Sequence, residues 1–245
     1  MHRFSVICSN VQHFKEMFFV VIQFGAILAV IKTFWSNMIP IERKGGFSLR
    51  SDVILLWKKV IVACFPSAVI GLAFDDFIDS NLSSPVIISS MLIIYGVLFI
   101  IIERANREKA PDVTDISGIS YKTALIIGMF QALSLIPGTS RSGATIIGAL
   151  LAGVSRTAAT EFTFYLAVPT MLGASLLKMI KFGFDFEVYE VFALLLGMVV
   201  AYAVSAASIR FLVGYVKKHD FSAFGVYRIA LGIILMIYYA VKAFV

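Results

Sequence analysis

Residues 137–143 of this chain read Pro-Gly-Thr-Ser-Arg-Ser-Gly, in the middle of an otherwise apolar stretch. These residue types suit one chemistry, the binding of phosphate. Arg141 carries a rigid planar fork that matches two phosphate oxygens at once. Ser142 and Gly143 open a helical stretch, whose free first-turn N–H groups and positive dipole end make an anion site in their own right. Thr139, Ser140 and Ser142 add hydroxyls, and Gly138 and Gly143 let the backbone approach a ligand closely. A guanidinium at membrane depth costs about 3 kcal/mol or more unless paired or hydrated, so Arg141 is a functional candidate by default. The alternative is a structural kink in which Arg141 pairs with an acid such as Glu161.

Three further residues could join it. Gln131 lies on the helical stretch before the break and either hydrogen-bonds into the cavity or makes an interhelical contact. Glu161 opens the following span and either pairs with Arg141, helps to hold a cation, or is a first-turn acid favoured by the helix dipole. Arg228, in "FGVYRIALG", is a second cation inside an apolar span, either paired structurally or reaching ligand. The histidines, His2, His13 and His219, fall at ends or loops. A histidine attacking phosphorus is therefore excluded near the break, and no Cys-x5-Arg pattern exists, which leaves a hydroxyl or an activated water as nucleophile. Cys8 and Cys64 make no metal or disulfide pattern.

The elements that must position these groups are membrane helices. Of 245 residues, 60% are hydrophobic and 15% charged, against roughly 45–50% and 25% in soluble domains. The chain therefore reads as one all-α integral membrane domain over residues 1–245. Spans are expected near 16–36, 54–74, 85–103, 157–177, 190–209 and 222–243. A β-barrel would show short alternating segments instead. Residues 122–154 differ, because "TALIIGMFQALSLI" (123–136) and "SGATIIGALLAGV" (142–154) are each only about 20 Å long as helices, too short to cross. Two half-helices meeting at a polar break make a re-entrant hairpin, a backbone tolerated at that depth only against protein or a wet cavity. Two short tilted spans joined by an exposed turn are the alternative.

The loops 37–59, 104–122, 210–220 and the turn at Arg156 hold thirteen Lys/Arg, against five on the other side, and the 75–84 loop there carries Asp75, Asp76 and Asp79. The basic loops are therefore expected in the cytoplasm and both termini outside, with Trp35 and Trp57 as interfacial anchors. This bias accounts for the net charge of +6 without nucleic acid. Residues 1–13 are atypical and do not form a signal peptide. An internal echo joins "EMFFVVIQFGAILA" (16–29) to "EFTFYLAVPTMLGA" (161–174). The two run in opposite directions by the charge count, which suggests the remnant of an inverted repeat with its site near mid-membrane.

"FQALSLIPGTSRSGATI" followed by "GVSRTAATEFTFYLAVPTMLGA", with "VVIQFGAILAVI" (20–31) and "YRIALG" (227–232), resembles the undecaprenyl-diphosphatase (bacitracin-resistance) family. The resemblance implies hydrolysis of the terminal phosphate of a polyprenyl diphosphate, recycling the lipid carrier for cell-wall synthesis and giving bacitracin resistance. It implies a bacterial cytoplasmic-membrane protein, a site open to the outer face, and dependence on a divalent cation, Mg or Ca. The motif's arginine falls on Arg141, the preceding hydroxyl on Ser140, and the acid after the hairpin on Glu161. Arg141 and Ser140 are thus the catalytic candidates, and Gly138, Thr139, Ser142, Gly143 and Gln131 the diphosphate-binding ones. The family's glutamate-rich first hairpin and its Pro-Val-Ser-Ser-Thr-Gly-His stretch have no counterpart before "VVIQ". Half of a two-part site, and impaired turnover by this polypeptide alone, are therefore expected. The competing function class is a transporter or lipid carrier, since a broken helix with an arginine can also bind a moving anion.

Overall fold

In the computed structural model the backbone is described for residues 2–42, 48–107, 109–182 and 188–244. The side chains of residues 2–13, 15, 16, 41, 42, 48, 49, 75, 79, 178, 181, 182, 188, 243 and 244 lie outside that description. The chain is helical, as expected: α1 (His2–Thr33), α2 (Trp35–Met38), α3 (Ser51–Leu82), α4 (Pro85–Ala105), α5 (Tyr121–Leu133), α6 (Arg141–Leu151), α7 (Arg156–Phe182), α8 (Val188–Val216) and α9 (Ser222–Phe244). A two-residue antiparallel ribbon, β1 (Ile41–Glu42) with β2 (Ser48–Leu49), and an isolated parallel bridge between Val113 and Val154 depart from all-α among the described residues.

Among the described residues four helical stretches are long and apolar enough to cross a membrane: Ser51–Phe74, Pro85–Ala105, Tyr189–Val216 and Ser222–Lys242. Met17–Thr33 and Arg141–Leu151 are shorter apolar helices. The outward faces of the long ones are greasy. Phe65 and Leu72 on α3, Phe192 and Val199 on α8, and Ile234 and Ile237 on α9 are all exposed, a pattern that suits hydrocarbon rather than water.

Several boundaries differ from those expected, for α1 begins at His2 rather than near 16 and α8 runs to Val216, into the expected 210–220 loop. The basic segment expected to be loop through 59 becomes helix at Ser51. Lys59 is buried there, its Nζ donating to the Ser117 carbonyl at 3.0 Å. The 75–84 loop is mostly the end of α3, and α4 follows almost at once. Ser84 accepts from the Ile87 amide, and Pro85 stands in the first turn where its missing N–H is harmless.

Contacts divide the chain into two units, residues 1–39 with 167–212 and residues 40–166 with 213–245. In the first, the Ser175 hydroxyl donates to Gln23 Oε1 at 2.9 Å, joining α7 to α1. The Glu16 side chain, with which the sequence echo began, lies outside the described residues. In the second unit α4 and α9 cross where Gly96 meets Gly225. A Cβ on either would lie 2.7 Å from the other's carbonyl oxygen, so only glycine permits this approach. Between α4 and α5 a 3-10 turn, Ile116–Gly118, is capped by Asp115, which accepts from the Ser117 amide at 2.8 Å. The Ser117 hydroxyl and amide together hold the Asp115 carboxyl below the usual carboxylate range.

Candidate active site

Two short helices, α5 and α6, meet at the expected break, and both lie in the second unit. Ser120 caps α5 by accepting from the Thr123 amide at 3.0 Å. The helix ends by tightening. Ser134, Leu135 and Ile136 donate to the carbonyls three residues back, Gln131, Ala132 and Leu133, at 2.9, 3.1 and 3.2 Å. Gly138 then turns the chain with φ +90, and a Cβ there would lie 2.5 Å from the Ile88 carbonyl oxygen of α4. Backbone conformation and close approach both demand glycine at this position. Ser140 restarts the helix as N-cap, its Oγ accepting from the Gly143 amide at 3.1 Å.

The polar groups gather around this break. Arg141 is the first residue of α6 and is exposed, with no ion pair or hydrogen-bond partner among the described residues. Beside it the Ser142 hydroxyl lies 3.2 Å from Ser140 Oγ. The first-turn amides of α6 have no intrahelical acceptors. Thr139 is 9% exposed, and its Oγ1 has no partner among the described residues. Arg228 reaches in from α9, its Nη2 donating to the Gly138 carbonyl at 2.9 Å, while its Nε is buried without a partner among the described residues.

One turn into α6, Thr145 Oγ1 lies 3.1 and 3.0 Å from the Arg141 and Ser142 carbonyls and 2.9 Å from Thr163 Oγ1 on α7. A hydroxyl has one proton to give, so Thr145 donates to the backbone and accepts from Thr163. This contact also sets the height of Glu161. Arg141 lies four residues, about 6 Å, from Thr145 toward the break, and Glu161 two residues, about 3 Å, from Thr163 in the opposite direction. The two charges are about 9 Å apart along the helices, and no Arg141–Glu161 ion pair forms among the described residues. Gln131 is not gathered at the break either. Its Nε2 donates to Ser67 Oγ on α3 at 2.6 Å, the interhelical alternative.

Glu103 is a residue that the sequence does not single out. It is buried at the far end of α4 and accepts from Arg156 through Nε (2.8 Å to Oε2) and Nη2 (2.5 Å), and from the Phe221 amide at 3.1 Å. One carboxylate therefore ties the end of α4 to the starts of α7 and α9. A cavity of about 840 Å³ opens at this end, lined by Asn106, Lys109, Asp112, Arg156 and Lys217 among others. It also borders Leu151 at the end of α6, ten residues and about 15 Å from Arg141, so it is separate from the break.

The break offers donors, with two guanidiniums, helix N–H groups and hydroxyls on its rim. No group of three or more His, Cys, Asp or Glu gathers anywhere among the described residues. This set does not by itself fit a divalent cation. It fits an anion with several oxygens.

Comparison with known proteins agrees with the resemblance carried by the motif. The family model described as bacitracin resistance protein BacA matches residues 4–234. An undecaprenyl-diphosphatase of Enterococcus faecalis is 60% identical over 230 residues, 93% of this chain and 83% of that relative. Proteins of the same name from Desulfitobacterium hafniense and Acetivibrio thermocellus are 52% and 51% identical, covering 95% and 92% of this chain and 84% and 83% of theirs.

Proposed function

The chain belongs to the bacitracin resistance protein BacA family, and from that premise we propose that it is an undecaprenyl-diphosphatase. It hydrolyses the terminal phosphate of undecaprenyl diphosphate, leaving undecaprenyl phosphate for another round of cell-wall synthesis. The observation that carries this reading is the free guanidinium of Arg141 at the start of α6, beside a buried Thr139 hydroxyl with no partner among the described residues.

In this reading the terminal phosphate lies against Arg141, Ser142 and the α6 amides. Water adds to its phosphorus, the bond to the bridging oxygen breaks, and inorganic phosphate and the lipid monophosphate separate. Negative charge spreads over the peripheral oxygens as this happens. The Arg141 guanidinium and the α6 amides stabilise that charge, the amides without reorganising because the Ser140 cap holds them, and such electrostatic stabilisation is the main way a site of this kind lowers the barrier. Ser140 keeps its Oγ on the Gly143 amide, with Ser142 Oγ as its other neighbour. It therefore serves as the cap that aims the α6 amides, and water is the nucleophile. The guanidiniums and N–H groups of the break do not ligate a divalent cation, so the one that the resemblance implies would be held by the substrate's own oxygens.

The finer topology belongs to the same proposal. Six spans with the α5–α6 hairpin entering from the cytoplasmic side, in a bacterial cytoplasmic membrane, put the break toward the outer face, where spent diphosphate appears. The thirteen-to-five bias of Lys and Arg supports that orientation, and the weak likeness of residues 16–29 to 161–174 supports an inverted-repeat ancestry.

Phosphate release from farnesyl diphosphate by the purified chain tests the reading. Arg141→Ala is expected to lower kcat by about 10²–10³, and Arg141→Lys to lower it less. Turnover unchanged in Arg141→Ala would remove the site from the break, and substrate flux into proteoliposomes without phosphate release would make the protein a carrier.

A further inference from the structure

Arg228 stands outside the mechanism so far, yet it touches the same peptide. Two buried side-chain atoms lack a hydrogen-bond partner among the described residues, Arg228 Nε and Thr139 Oγ1. Arg228 Nη2 is held on the Gly138 carbonyl at 2.9 Å, and that carbonyl carbon is bonded to the Thr139 nitrogen. A guanidinium is rigid and planar, so fixing Nη2 also fixes Nε beside the Gly138–Thr139 peptide. Two orphaned polar groups at one peptide, in a buried setting, are costly unless something bonds them. The missing partner of Nε must be an acceptor, because Nε can only donate, and an anion would also balance a guanidinium that has no acid among the described residues.

We propose that Arg228 Nε and Thr139 Oγ1 form a second phosphate subsite on the inner side of the break. Arg141 with the α6 amides takes one phosphate of the diphosphate, and Arg228 with Thr139 takes an oxygen of the other. The proposal rests on the diphosphatase reading and adds specificity to it. A lipid diphosphate engages both arginines, whereas the monophosphate product engages one, so the pair holds substrate and lets product go. Positions 139 and 141 supply this in one chain segment, with Arg228 brought in by the α4–α9 crossing.

The test is binding rather than turnover. The purified full chain is titrated calorimetrically with farnesyl methylenediphosphonate, which cannot be hydrolysed, and with farnesyl monophosphate. Arg228→Lys keeps the charge and a donor for Gly138 but has no Nε, and Thr139→Val keeps the shape and loses the hydroxyl. Each is expected to weaken the diphosphonate about tenfold and leave the monophosphate unchanged. The double variant should be little worse than either single one, because both groups serve one oxygen. Equal losses for both ligands would overturn the subsite and leave Arg228 a brace for Gly138. Unchanged affinities with a lowered Tm would overturn it in favour of a bridging water. If Arg228→Lys fails to fold, the isosteric Thr139→Val decides by the same two affinities. Arg228-dependent diphosphonate binding by a protein that carries substrate into proteoliposomes without releasing phosphate would uphold the subsite and refute the enzymatic reading instead.

Discussion

Replacing Glu103 by glutamine removes one charge and almost no volume from the point where α4, α7 and α9 are tied together. The carboxylate is 1% exposed and Arg156 35%. Three donors converge on it, Nε and Nη2 of Arg156 and the Phe221 amide. Glutamine keeps one acceptor oxygen and turns the other into an N–H₂ group. A donor must then face a donor, and at least one charge-assisted bond is lost, each worth about 1.5–3 kcal/mol. Removing one member of a fully buried pair costs about 3–5 kcal/mol, but Arg156 is a third exposed and can rehydrate, so the lower part of that range applies. The expected destabilisation is about 2–3 kcal/mol. At about 2–4 °C per kcal/mol for a chain of this size, thermal unfolding in detergent should shift down by roughly 5–10 °C. Arg156→Gln should cost more, because it strands a carboxylate that cannot reach water. The double variant Glu103→Gln/Arg156→Gln should be milder than the sum by about 2 kcal/mol, since two amides can bond each other. A Glu103→Gln protein melting within about 2 °C of the parent, or a double variant equal to the sum, would refute the carboxylate's role as the tie.

Two shorter predictions concern the break itself. Gly138→Ala puts a side chain at φ +90 and a Cβ 2.5 Å from the Ile88 carbonyl. The left-handed conformation alone costs about 1–2 kcal/mol, and the displaced carbonyl should loosen Arg228, so Tm and diphosphonate affinity should fall together; affinity retained at the parental value would mean that the turn does not position the site. Ser140→Ala removes the α6 cap, worth about 1 kcal/mol. Phosphate release should then fall about tenfold or less, whereas a loss on the order of 10⁴ or more would make Ser140 the nucleophile.

The break was legible because its signal is local. A Pro-Gly and a polar run inside an apolar stretch require a break, and α5 ends at Leu133 and α6 begins at Arg141 on either side of it. Its edges were less legible. Residues 134–136 read as apolar helix, yet their amides have already tightened to three-residue spacing before the turn, and Leu135 and Ile136 give no compositional sign of it. Long-range pairings left still less trace. Arg228 donates to a carbonyl 90 residues away, and nothing in "FGVYRIALG" distinguishes that from pairing with an acid. Glu103 stands next to Arg104 at the end of an apolar span and reads as an interfacial charge. Only the arrival of Phe221 and Arg156 turns it into a buried acceptor. Lys59 shows the same limit from the other side, being counted with the basic loop although a single backbone carbonyl holds it in the interior.

The arrangement of the two arginines argues for its own ligand. Arg228 meets the cost of burial in part, through a carbonyl that the broken helix has left free of its usual donor. Arg141 is exposed and has no hydrogen-bond or ion-pair partner among the described residues. It is the first residue of α6, where the helix dipole is positive and a cation is disfavoured by about 0.3–1 kcal/mol, and a second guanidinium is held on the Gly138 carbonyl earlier in the same turn. The nearest acid in sequence, Glu161, is about 9 Å distant along the helices. Positive charge is thus concentrated where the surroundings raise its cost, in a segment whose glycine, cap and threonine contacts hold it in place. Structural needs alone would be better met at position 141 by an uncharged residue, since any polar cap already lies at Ser140. An anion with several oxygens removes the repulsion, satisfies Thr139 Oγ1 and Arg228 Nε, and completes the first turn of α6, which makes the break a site held ready at the expense of local stability.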